Sequence, residues 1–345
     1  MYEVYKRSRV QTPENVTRWH LNGNGIVVAA MAVFVVVATF FSVNWEGQTT
    51  PLQVRYNPMH FTKRQHTKGT TQMLGAIAGD TVGSVYEWNN IKSKDFPIFK
   101  PKGRFRDEMF FTDDSICTIA VAHAIATARK TGSDLNETMK RSLYTLCNKY
   151  PHADYGCGYR HWLSLPYEQA KPYNSFGNGA VMRVSPAGFL ASSEDEAEKF
   201  AVAACAPTHN HPEAVRWAVI VAKMIFWMRN GMTKDELMAK MKPMKELDFT
   251  LDEIRPTYRF NETTQGTAPQ AIVAFFESAD FEEAIRSAIS LGGDSDTLAA
   301  VTGGLAEAAY GLPDEFKDAV LAKLKEDRQG AVLAALKEVL PGLSV

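Results

Sequence analysis

Residues 111–130 read FTDDSICTIAVAHAIATARK, and from 114 to 130 the apolar residues recur at helical spacing, with carboxylates at the start and cations at the end. Helix termini favour that order of charge, because the macrodipole is positive at the N-terminus and negative at the C-terminus. Residues 213–229, EAVRWAVIVAKMIFWMR, follow Pro212, which suits a first helical turn, and their wide apolar face predicts a core position. Residues 234–241, 267–278, 281–290, 296–310, 314–326 and 329–339 repeat the pattern. Alternating strand patterns are scarce, and there is no internal repeat or low-complexity tract. These features predict one all-α domain over residues 73–345.

The chain has 345 residues, 45% hydrophobic and 22% charged, a globular balance that excludes disorder throughout. A net charge of −1 carries no global footprint for nucleic acid, so no nucleic-acid partner is expected. The charge is unevenly spread. Residues 1–70 hold 8 Lys and Arg against 3 Asp and Glu, a balance of +5, and residues 71–345 hold 30 against 36, a balance of −6. Cys117, Cys147, Cys157 and Cys205 form no CxxC pair, and no His stands at zinc-finger spacing from them. They read as reduced thiols rather than a disulfide framework or a structural zinc site.

Residues 26–43, IVVAAMAVFVVVATFFSV, carry no charge, and only Thr39 and Ser42 are polar. Eighteen residues is the lower edge of a bilayer span, and Trp19 and Trp45 flank the run as interfacial anchors would. Lys6, Arg7, Arg9 and Arg18 before it favour a cytoplasmic amino terminus, although Arg55, Lys63, Arg64 and Lys68 beyond it offset that preference. This reading predicts a basic segment over 1–25, a transmembrane helix over 26–43, a Pro- and Gly-bearing linker over 44–72, and single-pass membrane association. A cleaved signal peptide fits less well, because the charged leader is long and no A-x-A site follows. The competing reading is a non-native upstream extension: Met73 stands immediately before the first strong motif, Met59 is another start, and the protein would then be soluble and cytoplasmic.

Two acidic segments open apolar helices: Phe111-Thr112-Asp113-Asp114-Ser115 and Gly292-Gly293-Asp294-Ser295-Asp296-Thr297. Asp, Ser and Thr cap helices, but one carboxylate suffices for that. Each segment has two, plus a Thr hydroxyl. Four carboxylates brought together repel unless cations lie between them, and hard oxygen donors favour Mg²⁺ or Mn²⁺ over zinc. Spacing alone leaves capping and metal binding both open, and does not prove that the segments meet. A third segment, Gly75-Ala-Ile-Ala-Gly79-Asp80-Thr-Val-Gly83-Ser84-Val-Tyr86-Glu87-Trp88, has small residues every four positions, suited to close helix packing. Glu87 ends it beside two aromatics, where desolvation would suit it to acid–base work, a surface Glu being the plainer reading. In Ser175-Phe176-Gly177-Asn178-Gly179-Ala180-Val181-Met182-Arg183, glycines before a helix would expose backbone N–H groups to a phosphate, with Arg183 adding charge; a plain turn reads equally well. Thr208-His209-Asn210-His211-Pro212 places two His before a helix, a capping or solvated arrangement when taken alone.

Together, in this order from about Met73 to beyond Tyr310, these segments resemble the ADP-ribosylglycohydrolase family. The resemblance implies a compact all-α bundle with a binuclear Mg²⁺ centre in a cleft, two ions per chain, Mn²⁺ being the alternative. It implies Thr112, Asp113, Asp114, Asp294, Asp296 and Thr297 as metal ligands, and Glu87, Asp113 and Asp296 as catalytic carboxylates. Ser175, Gly177, Asn178, Gly179 and Met182 match the loop that holds the diphosphate and ribose, and His209 a substrate-side histidine. Tyr155, in Tyr155-Gly156-Cys157-Gly158-Tyr159, matches a loop beside the distal ribose, although Cys157 departs from the glycine expected there. The implied activity is release of ADP-ribose from an ADP-ribosylated protein or small molecule by a monomeric enzyme, the acceptor being arginine, serine or another group. A binding protein without turnover is the reading from another class; the presence of every ligand position and Glu87 argues against it. A hydrolase of a ribosylated metabolite is the third. A membrane structural protein would leave the acidic segments unexplained.

Overall fold

The computed structural model describes residues 41–43, 49–51, 73–98 and 109–343. They fall in two compact units, residues 1–66 and residues 67–345. In the first, β1 (Phe41–Val43) and β2 (Thr49–Pro51) form an antiparallel pair, with Phe41 opposite Pro51 and Val43 opposite Thr49. The helix expected over 26–43 is thereby corrected at its end, where residues 41–43 form a strand. Phe and Val are good strand formers, and the partner strand supplies their backbone hydrogen bonds. The rest of the expected span, residues 26–40, lies outside the described residues, as does the basic segment 1–25. Among the described residues no helix is long and apolar enough to cross a membrane.

Among the described residues of the second unit the regular elements are helices, apart from one isolated bridge between Gly177 and Thr263. Its α-helices are α1 (Gly75–Gly83), α2 (Asp113–Thr131), α3 (Leu135–Cys147), α4 (Cys157–Ser164), α5 (Gly179–Met182), α6 (Ser185–Leu190), α7 (Glu194–Cys205), α8 (Pro212–Arg229), α9 (Lys234–Met241), α10 (Leu251–Ile254), α11 (Thr264–Phe276), α12 (Phe281–Ile289), α13 (Ser295–Tyr310), α14 (Asp314–Glu326) and α15 (Ala331–Val339). Every helix read from apolar spacing is present, with ends shifted by a few residues at most.

The core is built around α13, whose residues from Ser295 to Ala308 are all buried. Helix α1, buried along its whole length, lies against it. The four-residue glycine stripe makes this possible. A Cβ on Gly79 would stand 1.9 Å from the Ala299 carbonyl oxygen, and one on Gly83 would stand 2.5 Å from Asp296 Cα. No side chain fits at such distances. The same stripe delivers the C-terminal end of α1 to the first turn of α13. Helices α8, α11 and α12 pack around α13, and α2 pairs with α3 and α15.

Candidate functional site

The ends of three helices converge: the C-terminus of α1 and the N-termini of α2 and α13. Asp80, near the end of α1, ties the first to the second. Its fully buried carboxylate accepts the Thr112 N–H at 2.9 Å, the Thr112 hydroxyl at 2.8 Å, the Ser115 N–H at 3.1 Å, and the Ser115 hydroxyl. Burial pushes Asp80 up to about 6, against the lowering effect of those four donors. Thr112 in turn caps α2, accepting the Asp114 N–H at 3.2 Å. Its hydroxyl oxygen still has a free lone pair.

The α13 end is set by the turn before it. Gly292 and Gly293 have φ of 65° and 76°, the left-handed region that favours glycine. Asn90 clamps this turn: it accepts the Gly293 N–H at 2.7 Å and donates to the carbonyls of Gly293, Glu87 and Tyr86 at 3.2, 2.7 and 2.9 Å. The clamp holds the Glu87 segment against the Asp294 segment. At α13 the capping reading fails, because Asp294 occupies the cap position without making a side-chain capping bond.

Glu87, Asp294 and Asp296 each offer a carboxylate oxygen within 4.8 Å of the others. The two acidic segments also touch, the Thr297 hydroxyl lying 3.4 Å from Asp114 Oδ2. Spacing left that meeting open; the fold supplies it. Buried within this cluster, Glu87 Oε2 and Asp114 Oδ1 have no hydrogen-bond partner. Burial first, and neighbouring carboxylates second, push Asp114 and Asp296 well above the usual carboxylate range. Asp113 is pushed up likewise, by burial, by the Cys117 thiol and by Asp80 and Asp294. Glu87 rises to about 7, through burial and then the charges of Asp294, Asp154 and Asp80, with a Trp88 hydrogen bond in opposition. These carboxylates repel one another across a site with too few donors. The donor set is oxygen alone, so hard divalent cations fit it.

The glycine segment serves this cluster in a way the sequence did not disclose. Asn178 donates its side-chain N–H to Asp294 Oδ2 at 2.6 Å and to the Thr267 hydroxyl at 3.2 Å, fixing an acidic side chain rather than a phosphate. The loop is held by the Asn178 N–H on the Glu262 carbonyl at 2.7 Å and the Thr264 N–H on the Phe176 carbonyl at 2.9 Å. The Ser175 hydroxyl accepts the Gly177 N–H at 3.1 Å. Met182 is buried, and its carbonyl accepts the Thr118 hydroxyl at 3.2 Å.

His209 lies directly under this loop. A Cβ on Gly179 would stand 2.6 Å from His209 Nε2, so only glycine lets the loop sit on the ring. Burial and the Arg183 charge hold His209 well below its usual range, hence neutral. Its Nδ1 meets Arg183 Nη2 at 3.3 Å. A guanidinium can only donate, so Nδ1 accepts, and Nε2 carries the proton toward the loop. Arg183 itself corrects an expectation. It is wholly buried, donating to the Ala204 carbonyl at 2.9 Å and the Thr208 hydroxyl at 2.7 Å, because the single turn of α5 swings it inward. It adds no charge at the loop surface. The Tyr155 side chain is fully buried, and its hydroxyl donates to the Cys147 carbonyl at 3.2 Å.

Asp80 and Asn90 were missed as site residues. A lone Asp in a small-residue helix and an Asn pair after it carry no spacing signal. Of the exposed aromatics beside the cluster residues in the chain, the sequence noted Trp88 only as a neighbour of Glu87. Trp88 stacks on Phe260 with ring centroids 5.3 Å apart, while Phe110 precedes the Thr112 segment and Phe176 lies in the glycine loop.

With this geometry in place, comparison with known proteins is specific. The family model described as ADP-ribosylglycohydrolase matches residues 62–343. The chain is 24% identical over 309 residues to ADP-ribosylhydrolase ARH3 of Mus musculus, covering 70% of this chain and 83% of that one. It is 29% identical over 156 residues to ADP-ribosylarginine hydrolase Tri1 of Pseudomonas putida, covering 42% of each. Among solved structures, one titled "ADP-ribosylglycohydrolase-related protein complex" superposes with a TM-score of 0.55 at 25% identity, covering 78% of this chain and 98% of that one.

Proposed function

The chain belongs to the ADP-ribosylglycohydrolase family, a family of hydrolases acting on glycosyl bonds, and from that premise we propose that it releases ADP-ribose from ADP-ribosylated substrates in a Mg²⁺-dependent reaction. The observation that carries the cation requirement is the convergence of Glu87, Asp113, Asp114, Asp294 and Asp296, two of them with a buried oxygen lacking any partner. Asp294, Asp296 and Thr297 together with Thr112, Asp113 and Asp114 would hold two Mg²⁺, with Glu87 standing beside them; Mn²⁺ suits the same oxygen donors. Bound there, the ions would supply Lewis-acid polarisation and lower the pKa of a bound water.

The chain's own groups do the rest. Glycosidic cleavage passes through an oxocarbenium-like transition state, so carboxylates beside the anomeric carbon stabilise its charge. Glu87, raised to about 7, can hold or release a proton near neutrality at the scissile bond. Asn178 keeps Asp294 oriented, and Asn90 keeps Glu87 and the Gly292-Gly293 turn in register. The Ser175–Gly179 backbone, backed by the His209 Nε2–H, receives the ADP-ribose.

ADP-ribose release by the full chain tests the reading, with Mg²⁺ and peptides ADP-ribosylated on arginine or on serine, and the Asp294→Ala/Asp296→Ala double variant as control. Release that depends on Mg²⁺ and is absent from the variant is expected. A folded, Mg²⁺-loaded protein that releases nothing from either peptide would overturn it.

A further inference from the structure

One buried group of side chains has no part in this chemistry. Cys117 lies on α2, one turn beyond Asp113, and Cys147 ends α3 opposite it. Both are fully buried, and their sulfurs are 3.7 Å apart. The Tyr159 hydroxyl touches both, at 3.5 Å from Cys147 Sγ and 3.8 Å from Cys117 Sγ. Behind that phenol lies Arg183, its guanidinium carbon 5.7 Å from the Tyr159 ring centroid. Arg183 is wholly buried, its Nε and Nη1 have no hydrogen-bond partner, and its hydrogen bonds go to a carbonyl, a hydroxyl and a neutral imidazole. A buried cation with no carboxylate bonded to it draws negative charge from the nearest acids. Those acids are Tyr159 and the thiols, Cys117 and Cys205 among them.

We propose that Cys117 and Cys147 are an oxidisable dithiol, a modification site for peroxide-class oxidants, whose closure to a disulfide weakens the acidic site one turn away. Two thiols 3.7 Å apart, a phenol hydroxyl in contact with both and a cation without a carboxylate partner behind it favour a thiolate within the pair. The pair is also asymmetric. Hydrogen bonds from Cys117, Tyr159 and Tyr155, with Arg183 behind them, outweigh burial and hold the Cys147 thiol below its usual range, whereas burial pushes Cys117 well above. Cys147 is therefore the attacking sulfur and Cys117 the resolving one.

The chemistry balances with hydrogen peroxide as the oxidant. The Cys147 thiolate attacks one peroxide oxygen, the O–O bond breaks, and the leaving hydroxide takes the Cys147 proton, giving water and a sulfenic acid. Cys117 then attacks the Cys147 sulfur, the S–O bond breaks, and hydroxide leaves with the Cys117 proton as a second water. Two thiols and one peroxide yield one disulfide and two waters. Bonding draws the sulfurs together from 3.7 Å to about 2.05 Å, a shift of about 1.6 Å in a close-packed interior. Cys117 shares its helical turn with the ligand segment, so the shift reaches Asp113 and Asp114.

The test treats the full chain, carrying Cys157→Ser to remove the exposed thiol, with hydrogen peroxide. Tryptic mapping without reductant follows, then Mg²⁺ titration calorimetry before oxidation, after it, and after dithiothreitol. The expected result is a cross-link between peptides 107–129 and 142–149, a Mg²⁺ affinity reduced about tenfold or more, and recovery on reduction. A Cys147→Ser variant should give no cross-link and unchanged affinity after peroxide. Cys117 and Cys147 remaining free thiols, or a cross-link that leaves Mg²⁺ affinity unchanged, would overturn the proposal. The mapping needs no turnover, so the dithiol stands or falls separately from the proposed activity.

Discussion

The α1–α13 pair buries carboxylates at both of its ends, and the two ends differ in what faces them. At the start of α1, Glu307 from α13 accepts the Gly75 N–H at 2.6 Å, and the N–H groups of Met73 and Leu74 join it. The first turn of a helix has unpaired N–H groups, and this carboxylate satisfies them from a neighbouring helix. At the other end, Glu87, Asp294 and Asp296 face one another and Asp114, with oxygens left over. Burial raises Glu307 to about 7, the same value as Glu87. Burial and a raised pKa therefore do not separate a structural carboxylate from a functional one. The supply of donors does: three backbone N–H groups at one end, and at the other a deficit that divalent cations would fill.

The largest way to break this comparison is Asp296→Ala. Loss of turnover by about a thousandfold or more is expected, as for removal of a group that stabilises transition-state charge. Steady-state ADP-ribose release measures it. The opposite end should respond in stability instead. Glu307→Ala leaves three buried N–H groups without an acceptor and should cost about 2–3 kcal/mol in urea unfolding. In contrast, Asp296→Asn in the metal-free protein should leave stability unchanged or raise it, because it removes a buried like charge. Gly79→Ala, which drives a methyl into the Ala299 carbonyl, should also cost about 3 kcal/mol and disturb both ends together.

A pH dependence sharpens the same contrast. Asp80, Glu87, Asp113, Asp114 and Asp296 have folded values raised above the ordinary carboxylate range. For a raised acid, the stability it contributes is complete below the unfolded value and is lost as pH rises through the folded one. Metal-free protein should therefore lose stability as pH rises from the ordinary carboxylate range near 4 through about 6 for Asp80 and about 7 for Glu87. Saturating Mg²⁺ should flatten that fall. Thermal melts at pH 5 and pH 8, with and without Mg²⁺, measure it, and an equal fall in both conditions would contradict the cation reading. The smallest effect belongs to Asn90→Ala. It loosens the Gly292-Gly293 turn without removing a ligand, and about a tenfold loss in Mg²⁺ affinity is expected.

The fold was largely legible because its helices announce themselves locally. Residues 213–229 gave α8 to within one residue of its start, since Pro212 and a wide apolar face act over a few positions. The glycine stripe of α1 was equally readable: Gly75, Gly79 and Gly83 share one helical face, and only close approach explains three of them. Helix α7 was not read, although Ser193 caps it and three acidic residues fill its first turn. The site was half legible. The two acidic segments carry their chemistry in their spacing, but Asp80 acts on residues 32 to 35 positions away and Asn90 on one 203 away. Such pairings come into being only when the chain folds. Arg183 misled for the same reason: its place beside the glycines says nothing about which way one turn of helix points it.

Divalent-cation binding by the full chain tests the central claim most directly. Titration calorimetry with Mg²⁺ and with Mn²⁺ should be run on the wild type, on Asp294→Asn/Asp296→Asn and on Glu307→Gln. The account predicts saturable binding of two ions per chain by the wild type and by Glu307→Gln, with a raised melting temperature, and loss of that binding in the double variant. A folded wild type that binds neither ion, or a double variant that binds both as the wild type does, would contradict it.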